Sequence, residues 1–207
     1  MKTCIRINIF LVLLLAPLSA AYSQNNETVV RPMELSFFGG GGGTLIGINT
    51  GNNSQGKNID ITAGASLGFG NLTYHGFLPA IEIRGTYPID SGRYASEENF
   101  LGGLKVERPY RSFHPYADAL FGRGELTYSG KGSLNPDKTV LYQKSNSNVL
   151  AGGVGVDYDV LTSFALKVDV QFEHYSDVPV VKSDSATATS VIIGVVYRFG
   201  YRDRYAY

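Results

Sequence analysis

Cysteine is all but missing from this 207-residue chain: Cys4 is the only one, and it precedes the apolar run of the N-terminal segment. A disulfide framework is excluded, and so is a thiolate zinc site. Lipoprotein acylation is excluded as well, because an acylated cysteine follows an apolar run. Tryptophan is absent, and neither sign of charge prevails, with 18 Lys and Arg against 18 Asp and Glu. That balance removes any global electrostatic case for a nucleic-acid partner. Long apolar runs are missing too. The longest, 7–15, is interrupted by Asn8 and falls well short of the roughly 20 residues a membrane-spanning helix needs. A helical membrane protein is excluded.

The N-terminus is basic (Lys2, Arg6), then apolar, then small around Pro17, Ala20 and Ala21. This order predicts a secretory signal peptide over 1–23, cleaved after Ala21 or Ser23, and export through the Sec pathway. A short polar leader, 24–32, follows. The remainder is the length of one domain.

From there the chain repeats one theme. Eight segments alternate apolar with polar or small residues: 33–44, 58–69, 78–87, 98–108, 114–126, 148–158, 164–173 and 190–199. In the seventh, Leu166, Val168, Val170 and Phe172 oppose Lys167, Asp169, Gln171 and Glu173. In the third, Ile81, Ile83 and Tyr87 oppose Glu82, Arg84 and Thr86. A period of two is the strand signature, and the segments match the 9–11 residues a tilted strand uses to cross a bilayer. The odd-numbered connections read as longer and more polar than the even ones, as an up-and-down barrel with extracellular loops and periplasmic turns requires. The expected fold is all-β, an eight-stranded antiparallel transmembrane barrel over 33–199, with 200–207 as a C-terminal extension.

Alternation alone leaves two orientations open. With the charged faces inward, the lumen receives a network of both signs in comparable number: Glu82, Arg84, Lys105, Glu107, Asp157, Lys167, Asp169 and Arg198. Buried charges are tolerable when so paired. The opposite orientation gives a soluble, periplasmic lipocalin-like binder with an apolar interior. Aromatics near segment ends, among them Phe69, Tyr87, Phe100, Phe113, Tyr116, Tyr158, Phe164, Phe172 and Tyr175, suit the two interfaces of a membrane and favour the first orientation.

The closing segment reads SVIIGVVYRF, with Val191, Ile193, Val195, Tyr197 and Phe199 on one face. This resembles the C-terminal signal of outer-membrane barrels, and the stretch HPYADALFG at 114–122 resembles the fifth-strand opening of small OmpA-like barrels. The resemblance implies an outer-membrane location, a bilayer with lipopolysaccharide around the barrel, and Tyr197 and Phe199 as the signal read by the barrel assembly machinery. Residues 200–207 depart from it by continuing past the usual end.

Candidate chemistry is sparse. Gly39–Gly43 lacks the Gly-Lys-Ser/Thr ending of a phosphate loop and reads as a strand that leaves room in the lumen or coils tightly. His75, His114 and His174 have no ligand spacing, which gives no metal site and no cofactor, and His75 and His114 fall near turns without an evident role. His174 and Ser176 resemble the His-x-Ser pair of the lipid A 3-O-deacylases, also outer-membrane barrels. The acid would be Asp177, Asp184 or Glu173, none of them at that family's position, and Asp177 replaces the usual Asn. The loop 127–147, with Lys131, Asp137, Lys138, Lys144, Tyr128 and Tyr142, reads as a solvated loop able to meet lipopolysaccharide phosphates or an external partner. The expected protein is not an enzyme but a structural or surface-interacting outer-membrane barrel without a general pore. The lipid A esterase and the lipocalin-like binder are the alternatives.

Overall fold

The computed structural model describes residues 33–48, 54–90, 95–128, 130 and 132–199. The signal peptide, the leader and the 200–207 extension lie outside the described residues, as does Lys131. Eight long strands close into one antiparallel barrel: β1 (Glu34–Ile48), β2 (Ser54–Gly68), β3 (Leu78–Asp90), β4 (Ala95–Glu107), β5 (Phe113–Tyr128), β8 (Lys144–Leu161), β9 (Phe164–Ser176) and β10 (Ser185–Phe199). Between β5 and β8 two short strands, β6 (Ser133–Leu134) and β7 (Leu141–Tyr142), form a separate hairpin. Each barrel strand pairs with its neighbour in sequence, and β1 pairs with β10 to close the ring, from Leu35 opposite Phe199 to Gly47 opposite Thr187.

The seam between β1 and β10 explains the glycine run. A Cβ at Gly40 would stand 2.5 Å from the Ile193 carbonyl oxygen, and one at Gly42 would run into that of Val191. Gly41 and Gly43, with the opposite parity, would meet the nearest backbone oxygen at an ordinary 3.6 Å. Alternate glycines therefore permit a close approach of the two strands, while the others need only be small. Elsewhere a missing side chain admits a ring: Phe38 fills the space at Gly64, and Tyr116 the space at Gly155.

Parity decides what is inside. On β9, Lys167 and Asp169 are 2% and 0% exposed, whereas Leu166 and Phe172 are 51% and 60% exposed. Ile81, Ile83, Leu104, Val154, Val168, Val191, Ile193 and Val195 share the outer face, giving an apolar band around the barrel. The interior is polar at that level. A soluble lipocalin-like binder requires the reverse, so that alternative is corrected by the wall itself.

Towards the end where β10 begins (the far end), the phase reverses. Ile46, Leu126, Tyr128, Val149, Ala186 and Ala188 point inward and form a buried apolar cluster. Outside at this level stand Glu98, Arg123, Lys144, Asn146 and Thr187. The β9–β10 connection, expected to be long and polar, is short and folds Val178, Val180 and Val181 into the mouth of the barrel. The strands run 13 to 18 residues, and β1, β4, β5, β8, β9 and β10 each supply side chains to this apolar core as well as a part beneath the apolar band.

These extensions also correct the expected sorting of loop lengths. The far-end gaps 49–53 and 91–94 are no longer than the near-end connection 69–77, which contains a 3-10 turn at Gly70–Leu72. The third far-end connection is not a plain loop. Its hairpin turn is fixed by the Asn135 side-chain oxygen, which accepts from the backbone N–H groups of Thr139 and Val140 at 2.8 and 3.1 Å. Tyr128 is buried with its hydroxyl 2.7 Å from that of Ser145, and Tyr142 rests on the core.

Candidate functional site

The eight expected lumen residues arise from inward positions on five strands, β3, β4, β8, β9 and β10, and the structure brings all eight into one network. In the middle tier Arg84 (β3) lies 2.5 Å from Glu82, 2.8 Å from Asp169 and 3.6 Å from Asp118. The Tyr116 hydroxyl donates to Asp169 at 2.9 Å. The ammonium groups of Lys105 and Lys167 stand 4.1 and 4.0 Å from the centre of its ring, a cation–π arrangement that gains strength when water is excluded. Lys167 lies 3.6 Å from Asp157 and 3.7 Å from Asp169, so it links this tier to the next.

The near-end tier centres on Arg198 (β10). Its guanidinium contacts Asp159 closely, and lies 3.3 Å from Glu34, 3.6 Å from Asp157 and 3.8 Å from Glu107. Lys105 lies 3.2 Å from Glu107. His114, expected near a turn and without a role, is on the inner face of β5. Its ring nitrogens stand 2.7 Å from Glu107 and 2.9 Å from Asp159, so the imidazole bridges β4 and β8.

The expected balance of signs is not found. Among the described residues the interior buries eight carboxylates, Asp60, Glu82, Glu97, Glu107, Asp118, Asp157, Asp169 and Glu173, against four cations, Arg84, Lys105, Lys167 and Arg198. Asp60, Glu97 and Asp118 escaped the sequence reading. Their signal was parity alone: Asp118 shares a face with His114 and Tyr116, and Glu97 with Asn99 and Lys105. Two expected interface aromatics, Tyr116 and Tyr175, point inward for the same reason.

Tyr197 and Phe199 are exposed on the outer face at the near end, where Phe199 meets Phe37 edge-on at 5.7 Å and Tyr197 at 4.9 Å. Phe164 adds a ring 5.0 Å from Tyr197. His174 and Ser176 also face outward, at the far rim of β9, and no hydrogen bond joins their side chains. Glu173 lies inside, hydrogen-bonded by Asn99 and Tyr175 at 2.9 and 2.8 Å, and so cannot orient His174. Asp177 and Asp184 flank the valine plug with positive φ angles of 62° and 48°. Among the described residues no group of His, Cys, Asp or Glu is arranged to hold a metal ion.

No family model matches the sequence, and no curated protein matches it as a relative. Solved structures do match. Neisserial surface protein A shares 14% identity over 82% of this chain and 98% of its own, with a TM-score of 0.52. The attachment invasion locus protein Ail of Yersinia pestis shares 10% identity over 82% of this chain and all of its own, with a TM-score of 0.45. The outer-membrane enzyme PagL shares 16% identity over 76% of this chain and 97% of its own, with a TM-score of 0.46. At these identities the likeness is one of fold: the chain has the architecture of a small eight-stranded barrel such as Neisserial surface protein A.

Proposed function

We propose that the chain is an outer-membrane protein whose barrel spans the bilayer and serves a structural or surface-interaction role without a general pore. The observation that carries this reading is the inverted wall: paired charges inside, and an aliphatic band outside with rings at its edges. In water that band would expose one contiguous apolar belt, far beyond the patches soluble monomers carry. In lipid the reverse orientation would place several Lys and Arg in hydrocarbon at about 2–4 kcal/mol each. Eight strands leave a lumen that side chains fill, and here Arg84, Tyr116 and Lys167 fill its middle while three valines close its far mouth. Outer-membrane lipid and lipopolysaccharide surround the band, and Tyr197 and Phe199 serve as the signal for the assembly machinery. Sec export and removal of residues 1–23 precede insertion.

The test is fractionation of cells expressing the full chain, with gel mobility of boiled and unboiled samples. Outer-membrane recovery and a heat-dependent shift are expected; a soluble periplasmic species would overturn the reading. One observation favours a second reading, a lipid A esterase: His174 and Ser176 share the outer face at the far rim, where an acyl chain would lie. It lacks a carboxylate that orients the histidine, which the chemistry needs.

A further inference from the structure

We infer that the near rim of the barrel holds the phosphate headgroup of an anionic phospholipid between two matching turns. The β2–β3 connection closes with Tyr74, His75, Gly76 and Phe77, and the β4–β5 connection closes with Tyr110, Arg111, Ser112 and Phe113. Each runs ring, nitrogen-bearing side chain, small residue, ring, and both are locked the same way. The Tyr74 N–H donates to the Phe77 carbonyl at 3.1 Å and the Phe77 N–H to the Tyr74 carbonyl at 2.9 Å. Tyr110 and Phe113 exchange the same two bonds at 2.8 Å. The second residue is left-handed in both, with φ 49° at His75 and 51° at Arg111, a conformation large side chains rarely adopt. Because β3 pairs with β4, the two turns are neighbours on the rim. Arg108 joins them, its guanidinium 5.2 Å from the centre of the Phe77 ring.

Charge selects the ligand. The near-end connections 69–77, 108–112 and 162–163 contain Arg108 and Arg111 but no Asp or Glu. The strand-end carboxylates at this rim, Glu34, Glu107 and Asp159, lie against Arg198 in the lumen. The far-end connections carry both signs instead, Asp137 with Lys138, and Asp177 and Asp184 with Lys182. A guanidinium presents paired N–H donors to two phosphate oxygens, and an imidazole adds an N–H of its own. The near rim therefore complements a phosphodiester anion.

The rings fix the source of that phosphate. Tyr74, Phe77, Tyr110 and Phe113 are all exposed, and below them Ile81, Leu104 and Val106 continue the same wall as part of the apolar band. Aromatic rings settle at the level of the headgroups, and an acyl chain attached to the bound phosphate would lie along the aliphatic wall beneath. A soluble phosphate or a glycan strand has no use for that apolar floor. The inference rests on the proposed membrane location of the barrel.

The experiment reconstitutes the purified full chain into vesicles of equal phosphatidylglycerol and phosphatidylcholine, and native mass spectrometry counts the lipids the barrel retains. Phosphatidylglycerol should be retained in roughly tenfold preference. The preference should vanish in Arg108→Gln/Arg111→Gln and persist in Lys138→Gln/Lys182→Gln, which removes cations from the far-end connections. Equal retention of the two lipids by the inserted native chain, or a preference that survives in Arg108→Gln/Arg111→Gln, overturns this inference alone. Co-sedimentation with peptidoglycan sacculi, without a preference between the lipids, gives the rim to a cell-wall polymer and overturns it too. A chain that stays out of the vesicles overturns the membrane reading and this inference with it. Should the near-rim variant fail to fold, salt decides. Raising the ammonium acetate concentration must weaken the native preference by screening, and a preference that salt leaves unchanged overturns the inference.

Discussion

Arg84 on β3 reaches Asp169 on β9 through the centre of the barrel, at 2.8 Å, although 85 residues separate them in sequence. The pair braces opposite walls, and both partners are buried. Replacing Arg84 by Met should destabilise the barrel by about 3–5 kcal/mol, because it strands Glu82 and Asp118 without their cation and leaves Asp169 only Lys167 at 3.7 Å. Urea unfolding in lipid vesicles measures this. Asp169→Asn in the Arg84→Met background should recover part of the loss, and an Arg84→Met barrel of native stability would mean that the lumen is freely solvated.

The wall predicts a labelling pattern. Single cysteines at Leu166, Val168 and Ile193 should react with lipid-phase probes and resist water-soluble maleimide, while cysteines at Lys167 and Asp169 should escape the lipid-phase probes. Reaction with the opposite parity would refute the orientation.

The seam gives a prediction with its own control. Gly42→Val should prevent closure of β1 on β10, since its Cβ would collide with the Val191 carbonyl. Gly41→Ala, facing outward with the nearest atom at an ordinary 3.6 Å, should fold normally. The folded fraction on unboiled gels reads both, and equal folding of the two variants would show that the seam tolerates bulk.

The esterase is decided by lipid. Ser176→Ala and His174→Ala should leave both folding and lipid A unchanged when lipid A from expressing cells is weighed by mass spectrometry. Loss of an acyl chain that depends on Ser176 would replace the scaffold reading with the enzyme.

The eight strands were legible because their middles obey one rule, apolar outward and polar inward. Their far ends were not, because there the rule inverts. In β10, Ala186 and Ala188 turn inward and Thr187 and Thr189 outward, in the same parity as the rest of the strand, so a reading that expects apolar residues on the outer face stops at Ser190, five residues after the strand begins at Ser185. The lumen charges on β3, β4 and β9 that lie within the sequence-read segments followed from alternation. Glu97 precedes its segment, which begins at residue 98, and the bridging role of His114 was hidden because its partners Glu107 and Asp159 come from neighbouring strands that no local spacing records.

The ring is sealed by its first and last strands, with Leu35 opposite Phe199. Closure therefore joins the most distant parts of the described chain and is the step of longest loop. Until β10 is present, β1 is an open edge whose Gly39–Gly43 segment offers backbone groups and no side chains to guard them. A chain halted before β10 would present two unpaired edges, a template for joining other chains. Protection from aggregation thus arrives only with the final strand.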